Sequence, residues 1–225
     1  NSSKSYADNI SNRDYLEITI LPTLKFRSTL SIDYYLSHYH GYTNAEYGFY
    51  AGRGASSKSY DRNVSTTLTN LLNYNQSFGK HTIGVTLGEE NYSRHVTGMS
   101  ASREDFPFSG LTELSSAATM TGSSSYIDDY RLLSFFSRAE YDYDNKYYIS
   151  GSLRTDGSSK FSPESRWGTF WSVGASWRIT KEDWMSSVKW LDDLKLRASY
   201  GAVGNDGLSS WYCYQGLYAT GYNNF

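Results

Sequence analysis

Hydrophobic and polar residues alternate with a period of two along most of the chain, which is the pattern of β-strands with one apolar face. Within residues 24–34, Leu24 and Phe26 lie on one face, whereas Lys25 and Arg27 lie on the other. The same alternation predicts eight strands in four hairpins: Tyr15–Leu21 with Leu24–Tyr34, Thr66–Phe78 with His81–Leu87, Arg131–Tyr143 with Tyr147–Thr155, and Trp167–Ile179 with Leu194–Val203.

Charged side chains of these segments gather on the polar faces of the strands. Such segregation is expected where the opposite face meets a medium that excludes ions, which is either a protein core or lipid. The charged residues on the polar faces are Glu17, Lys25, Arg27, Asp33, Arg138, Glu140, Asp142, Arg154, Asp156, Arg178, Lys195 and Arg197.

The predicted connections alternate between short and long. Within hairpins they cover residues 21–23, 79–80, 144–146 and 180–193, the last as a compact amphipathic turn, and between hairpins they cover roughly 37–61, 92–129 and 157–166. Long loops without secondary structure are uncommon in compact soluble domains. Short turns at one end of the strands and long loops at the other are typical of outer-membrane barrels.

The composition excludes a bundle of membrane helices and allows a spanning barrel. The chain has 225 residues, of which 39% are hydrophobic and 17% aromatic, and its mean hydropathy is -0.58. A membrane helix needs about 18–20 consecutive apolar residues, whereas a spanning strand needs about 9–11 residues with every second one apolar. Tyr, Trp and Phe gather near the predicted strand ends, which favours aromatic girdles at two membrane interfaces.

Charge and cysteine content exclude further classes. The formal net charge is -2 and the pI is about 6.1, so the chain has no basic surface for nucleic acid. Cys213 alone cannot form a disulfide within the chain or a multi-cysteine metal site. Residues Asn1–Ile10 lack a signal-peptide pattern, which predicts either a protein that is not exported or an internal piece of a longer one.

Two long stretches resemble a known family. Residues Leu132–Met185, LLSFFSRAEYDYDNKYYISGSLRTDGSSKFSPESRWGTFWSVGASWRITKEDWM, and residues Trp190–Asp206, WLDDLKLRASYGAVGND, closely resemble the barrel of SusC/RagA-type TonB-dependent transporters of the Bacteroidetes outer membrane. Residues Arg13–Tyr92 resemble the family more loosely, in hairpin spacing and in the run LKFRSTLSIDY.

The resemblance implies an antiparallel transmembrane β-barrel of about 22 strands, closed by an N-terminal plug. Such a protein imports glycans or other oligomers with energy from TonB, and a SusD-like lipoprotein covers its mouth. Residues 1–225 would then be about eight strands of one barrel domain, in contact with outer-membrane lipid. The plug, the TonB box and the C-terminal strands are expected to be absent, with Phe225 as a truncation point.

The sequence shows no catalytic constellation, so we expect a transport protein and not an enzyme. No G-x-S-x-G elbow is present. His38 and His40 lie two residues apart, but a metal site needs a third ligand, and none stands nearby in the sequence. We therefore expect no catalytic site, no metal and no cofactor.

Two sets of residues are predicted to act in transport. Loop residues that offer a ring or a polar group to an oligosaccharide are the candidate substrate contacts: Tyr47, Tyr50, Arg53, Tyr92, Tyr126, Asp206, Trp211 and Tyr214. Charged residues on the polar faces are predicted to face the lumen and the plug: Arg138, Glu140, Arg154, Asp156, Arg178, Lys195 and Arg197. For Arg154 and Asp156 we also expect an ion pair that orders a junction between strand and loop.

Two other classes of protein fit parts of the pattern. One is a soluble or surface-exposed β-sandwich module for binding or adhesion, in which the apolar faces pair with each other. The other is a β-sandwich glycosidase, which needs two carboxylates across one cleft. The adjacent pairs Glu89 with Glu90 and Asp128 with Asp129 are the available acids. A single sheet with its apolar face outward, or two sheets with that face inward, distinguishes the barrel from both.

Overall fold

The computed structural model describes residues 1–208 and 210–218, and within them the chain is built from β-strands. The predicted truncation point, Phe225, lies outside the described residues. No helix in the described part is both long enough and apolar enough to cross a membrane. The strands are β1 (Ser2–Leu21), β2 (Leu24–Thr43), β3 (Ala55–Phe78), β4 (His81–Glu104), β5 (Thr119–Tyr143), β6 (Tyr147–Ser158), β7 (Trp167–Arg178) and β8 (Lys195–Ala202).

All eight strands belong to one sheet, and each strand pairs with its neighbours in the sequence, in the order β1 to β8. The pairs from β5 to β8 are antiparallel throughout their registers. The predicted all-β, antiparallel class and the predicted number of strands are therefore confirmed. A single sheet is also the arrangement that distinguishes a barrel wall from a two-sheet sandwich.

The register places the apolar residues of neighbouring strands on one face. Tyr141 of β5 lies opposite Ile149 of β6, which in turn lies opposite Ala175 of β7. Paired residues point to the same side of a sheet. Ile149, Leu153 and Val173 are 60%, 50% and 53% exposed, so nothing in the described residues covers this face. The apolar face is open, which is the opposite of what a sandwich requires.

Five strands, β1 to β5, extend well beyond their predicted limits. β1 begins at Ser2 and not at Tyr15, and the predicted loops 37–61 and 92–129 shrink to residues 44–54 and 105–118. The added segments are polar on both faces, as in Ser2–Asp14, so they carry no alternation although their backbones continue the sheet. Strands of 20–25 residues exceed the roughly 9–11 that span a bilayer. Strands of this length with polar ends are what a barrel wall requires if its strands reach beyond the lipid.

The short turns have the backbone geometry that tight hairpins need. Asp144 and Asn145 both adopt positive φ, 53° and 55°, and Gly79 adopts 59°. Positive φ at both central residues characterises the type I′ turn, whose twist matches that of the flanking strands. Two turns are also joined, because Lys80 Nζ donates to Asp144 Oδ2 at 2.8 Å. This hydrogen bond raises the pKa of Lys80 and lowers the pKa of Asp144.

The contacts of the chain form two compact units. Unit 1 comprises Asn1–Arg13, Ser31–Thr66 and Ser93–Asp129, and unit 2 comprises Asp14–Leu30, Thr67–Tyr92 and the described residues from Tyr130 onward. In unit 1 the buried hydrophobic residues are Tyr42, Phe106 and Ala117, and the rings of Tyr42 and Phe106 meet edge to face.

The loop 105–118 of unit 1 is fastened to the strands beneath it. Ser56 Oγ donates to the carbonyl oxygen of Thr112 at 2.9 Å, and His40 Nε2 lies 3.2 Å from the same oxygen. Lys58 forms an ion pair with Glu113, which lowers the pKa of Glu113. The loop therefore has a defined position although the sequence predicted only an irregular connection.

Candidate functional site

The eight predicted substrate contacts divide between the two units. Tyr47, Tyr50 and Arg53 lie in the loop 44–54 of unit 1, as predicted. Tyr126 lies on β5 and Tyr92 on β4, so the prediction that these two are loop residues is wrong. Both residues lie where a strand extends beyond the segment in which apolar and polar residues alternate, and the alternation alone does not predict these extensions. Asp206, Trp211 and Tyr214 lie in the segment after β8, in unit 2.

Unit 2 brings three of the predicted contacts into one group, which we call the Asp206 cluster: Tyr92, Tyr130, Lys160, Asp206 and Trp211. The Tyr130 hydroxyl donates to Asp206 Oδ2 at 2.6 Å. The ring of Tyr130 lies 5.8 Å, between centroids, from the ring of Tyr92 and 5.8 Å from that of Trp211. Tyr130 is therefore the centre of the cluster.

Lys160 completes the Asp206 cluster. Its Nζ donates to the carbonyl oxygen of Asp206 at 2.9 Å, lies 3.5 Å from Asp206 Oδ2, and sits 4.8 Å from the centroid of the Tyr130 ring. The sequence reasoning missed both Lys160 and Tyr130. Lys160 belongs to the family-like run RTDGSSKF, which is the signal that would have drawn attention to it. The cluster ties the loop after β6 to the segment after β8.

Hydrogen bonding sets the ionisation of Asp206. The bond from the Tyr130 hydroxyl, followed by the charge of Lys160, holds the pKa of Asp206 below its ordinary value of 3.8. A depressed pKa in the folded state stabilises that state above the ordinary pKa of the group. The stabilisation is lost as the pH falls through the lowered pKa.

We predict that Asp206→Asn loosens the segment 203–208 at neutral pH, because the neutral amide loses the charge that Tyr130 and Lys160 bind. Hydrogen exchange of the full-length protein should show faster exchange of this segment than in the wild type. The difference should persist at pH 3.8 and shrink only as the pH falls further, through the lowered pKa of Asp206, where Asp206 itself becomes protonated. Asp192→Asn, at an exposed turn position, is the matched control and should exchange like the wild type. Equal exchange of Asp206→Asn and the wild type at neutral pH would contradict the prediction.

The predicted pair of Arg154 and Asp156 is present on β6. Arg154 Nε donates to Asp156 Oδ1 at 2.7 Å, and Arg154 Nη2 donates to Ser134 Oγ at 2.9 Å. Arg154 Nη2 also lies 3.4 Å from Glu90 Oε1. The expected ion pair is confirmed, and it sits within the strand because β6 continues to Ser158.

Most of the remaining predicted lumen-facing charges line a groove on the polar face of unit 2. Its volume is about 540 Å³. Arg138 donates to Glu140, its neighbour two residues along β5, through Nε at 2.8 Å. Lys195 Nζ lies 3.6 Å from the centroid of the Tyr148 ring, a cation–π contact. Arg197 also lines the groove. Their predicted contact with a plug stays a prediction.

Arg178 is the remaining predicted lumen-facing charge, and it has a different ion-pair partner. Its guanidinium lies 5.9 Å from the Tyr148 ring on one side and 3.4 Å from Asp193 Oδ1 on the other. Asp193 belongs to the turn between β7 and β8. Arg178 therefore attaches that turn to the polar face.

The predicted contacts in unit 1 are mostly engaged with their own chain. Arg53 Nη2 lies 3.0 Å from Glu104 Oε2, and its guanidinium lies 6.0 Å from the Tyr50 ring. The Tyr126 hydroxyl donates to Asp61 Oδ1 at 2.9 Å. Tyr47 is 62% exposed. In unit 2, Tyr214 is 41% exposed and its hydroxyl accepts from Gln215 Nε2.

The residues weighed for metal binding or catalysis have other contacts. His38 stacks between Tyr6 and Tyr60, with ring centroids at 4.8 and 5.7 Å. Within residues 1–208 and 210–218, no group of three or more His, Cys, Asp and Glu is placed to hold a metal ion. Glu89 and Glu90 are consecutive on β4, so their side chains point to opposite faces of the strand.

Comparison with known proteins agrees with this geometry. A TonB-dependent receptor of Formosa agariphila is 33% identical over 164 residues, which are 72% of this chain and 16% of that protein. The TonB-dependent receptor SusC of Bacteroides thetaiotaomicron is 30% identical over 169 residues, 75% of this chain and 16% of that protein. The solved RagAB peptide transporter matches with a TM-score of 0.91 at 27% identity, over 96% of this chain and 24% of that chain. No protein-family model matches the chain.

An antiparallel sheet with an open apolar face and an opposite polar face is the wall of a β-barrel of the outer-membrane type. The sequence and structure matches assign this wall to the SusC/RagA-type TonB-dependent receptors of Bacteroidetes, and the chain belongs to that family. It is a segment of an outer-membrane protein. The chain spans about one sixth to one fifth of the length of the curated relatives it matches.

Proposed function

We propose that the protein containing this chain imports oligomeric nutrients across the outer membrane with energy supplied through TonB. It acts as a transporter and not as an enzyme. The observation that carries the proposal is the match to the RagAB peptide transporter over 96% of this chain, together with relatives that are named TonB-dependent receptors. In this function the described sheet is a part of the barrel wall.

We propose a glycan as the cargo, because the Asp206 cluster combines rings with polar groups. Sugar sites commonly place an aromatic ring against a sugar face, with carboxylate or ammonium groups at the hydroxyls. Trp211 and Tyr92 offer rings, and Asp206 and Lys160 offer the polar groups. A peptide is the second candidate, and the observation that favours it is that the RagAB relative is a peptide transporter.

The proposed partners follow from the same function. A SusD-like surface lipoprotein would cover the barrel, and the TonB complex would act through a plug region. The groove lined by Arg138, Lys195 and Arg197 is the surface of this chain that we propose contacts the plug. It carries charged side chains, and the interior wall of a wide barrel needs polar partners.

Deletion of the gene tests the function, followed by complementation with the full-length transporter and with a Tyr92→Ala, Asp206→Ala, Trp211→Ala variant. The wild type should restore growth on one oligomeric nutrient, and the variant should restore it weakly. Growth should be compared on oligosaccharides and on peptides as sole nutrients. Asp192→Ala is the matched control and should complement fully. Unimpaired growth of the deletion strain on every oligomer offered would contradict the proposal.

A further inference from the structure

A second cavity lies on the polar face of unit 2, where β6 ends and β7 begins, and its volume is about 460 Å³. Leu132, Arg154 and Phe170 contribute from the paired strands β5, β6 and β7. The segment 203–206, which follows β8, supplies another part of the wall, and the loop 159–166 supplies the rest. The cavity shares Asp206 with the Asp206 cluster, whereas the loop 159–166 with Arg166 and the ring of Phe170 have no part in the transport role proposed above.

Backbone hydrogen bonds hold the loop of this cavity in place. Ser159 N donates to the carbonyl oxygen of Arg131 at 2.9 Å, which fastens the start of the loop to β5. Ser158 N donates to the carbonyl oxygen of Arg166 at 3.2 Å, which closes the loop across its base. Arg166 is therefore fixed at its backbone, immediately before β7, with its side chain in the cavity wall.

The two carboxylates of the cavity already have cationic partners. Asp156 accepts from Arg154, and Asp206 is held by Lys160 and by the Tyr130 hydroxyl. Arg154 has a second carboxylate within reach, since Glu90 Oε1 lies 3.4 Å from it. Arg154, Asp156 and Asp206 of the cavity lining are thus all paired within the chain.

Arg166 is the exception. Its Nε is buried and has no hydrogen-bond partner in the described part of the chain, and no carboxylate there forms an ion pair with it. A buried donor without a partner destabilises the folded state, and more so when the group is charged. A guanidinium left in this state is a binding element for an anion, because its planar N–H groups match a carboxylate in two parallel hydrogen bonds.

Phe170 gives the same cavity an aromatic wall. A Cβ added to Gly204 would lie 2.1 Å from the Phe170 ring, and one added to Gly168 would lie 2.8 Å from it. Glycine at these positions lets the backbone pass directly against the ring. The cavity therefore joins an apolar surface to an unpaired cation.

We propose that this cavity is a subsite for a carboxylate of the cargo, with Arg166 binding the carboxylate and Phe170 contacting the apolar part of the same residue or sugar. The proposal rests on the import function proposed above and names the chemistry that the cargo carries. An acidic sugar and an acidic peptide both supply such a group. The carboxylate would give Arg166 the partner that the chain itself does not provide.

Binding to the purified full-length transporter tests the subsite, with each probe used in an acidic and a neutral form. The probes are an oligogalacturonate with its methyl ester, and a glutamate-containing hexapeptide with its glutamine counterpart, measured by titration calorimetry. For at least one pair, the acidic form should bind the wild type about 10-fold more tightly than the neutral form, because charge-assisted hydrogen bonds are the stronger ones. The pair that shows the preference identifies the source of the carboxylate.

Arg166→Gln should abolish the preference for the acidic form while the neutral form binds as before. Arg62→Gln, which removes an exposed arginine on β3 in unit 1, is the matched control and should keep the preference. Heat-modifiable migration on gels reports whether each variant is folded. Phe170→Leu leaves the charge of Arg166 in place and removes the aromatic ring. It should weaken the binding of both the acidic and the neutral form of the probe.

The subsite is overturned if the wild type binds neither acidic probe, binds both forms equally, or keeps its preference in a folded Arg166→Gln variant. These outcomes leave the transport function standing if the wild-type gene still restores growth on an oligomer. Conversely, a deletion strain without any growth defect would contradict the transport function, whatever the probes show. The two failures are therefore distinguishable.

Discussion

A polypeptide of these 225 residues, refolded alone into lipid, should not form a stable channel. In the described sheet, β1 pairs only with β2 and β8 pairs only with β7, so two strand edges have unpaired backbone groups. Each unpaired group in the hydrocarbon core costs several kcal/mol, which is why spanning barrels are closed. In a closed barrel formed by the full-length protein, both edges would have partners.

Planar-bilayer recording and gel migration with and without heating measure this outcome. The isolated polypeptide should give no discrete conductance and no heat-modifiable band, whereas the full-length protein should give the band. A heat-stable, discrete single-channel conductance from the isolated polypeptide would show that the edges find partners in some other way. That result would show that open strand edges do not prevent the polypeptide from forming a channel.

Leu153→Arg should destabilise the full-length protein in lipid by about 2–4 kcal/mol, the cost of an arginine facing lipid near the bilayer midplane. Leu153 is half exposed on the open apolar face, opposite Ser137 and Trp171. It lies six residues after Tyr147, the first residue of β6. At about 3.3 Å per residue and a tilt of about 45°, those six residues cover about 14 Å of depth, near the middle of the apolar band.

Ser152→Arg is the matched control, because Ser152 is the neighbour of Leu153 on the opposite face of β6. Its hydroxyl lies 2.6 Å from the Ser172 hydroxyl, so this substitution loses one hydrogen bond and leaves the lipid-facing side unchanged. The free energy of unfolding in urea, measured in vesicles, should fall much further for Leu153→Arg than for Ser152→Arg. Equal losses would mean that the apolar face of β6 does not meet lipid.

Alternation predicted the membrane-facing part of the sheet closely because that part has two chemically different faces. The predicted hairpin of Arg131–Tyr143 and Tyr147–Thr155 has the observed inner ends, Tyr143 and Tyr147, and β7 begins at the predicted Trp167. The turn at residues 144–146 was also predicted from its composition. Where one face of a strand meets lipid, every second residue must be apolar, and the sequence shows this directly.

The polar ends of the strands could not be predicted in the same way. In Ser2–Asp14 and Ala55–Ser65 both faces carry mostly polar side chains, so the segments show no period of two. What holds these residues in the sheet is backbone hydrogen bonding to the neighbouring strand. That interaction is almost independent of side-chain identity and leaves little trace in a single sequence.

The candidate site was only partly predictable for a related reason. Tyr92, Asp206 and Trp211 were selected individually as rings and polar groups, and their meeting around Tyr130 depends on where the segment after β8 returns. The positions of loops are set by a few specific contacts, such as that of Lys160 with Asp206, and not by a periodic pattern. Arg166 becomes a candidate only through the structure, in which its buried Nε has no hydrogen-bond partner among the described residues.

The strand order β1 to β8 has a consequence for how the protein assembles. Because every strand lies beside its neighbour in the sequence, each new pairing closes only a short loop, such as the residues 44–54 or 159–166. The entropy of loop closure rises with the length of the loop, and topologies with local contacts fold faster than those with distant ones. The sheet can therefore grow one hairpin at a time, each strand adding beside its neighbour in the sequence. The closing seam of the complete barrel is then the one pairing that must wait for the whole chain.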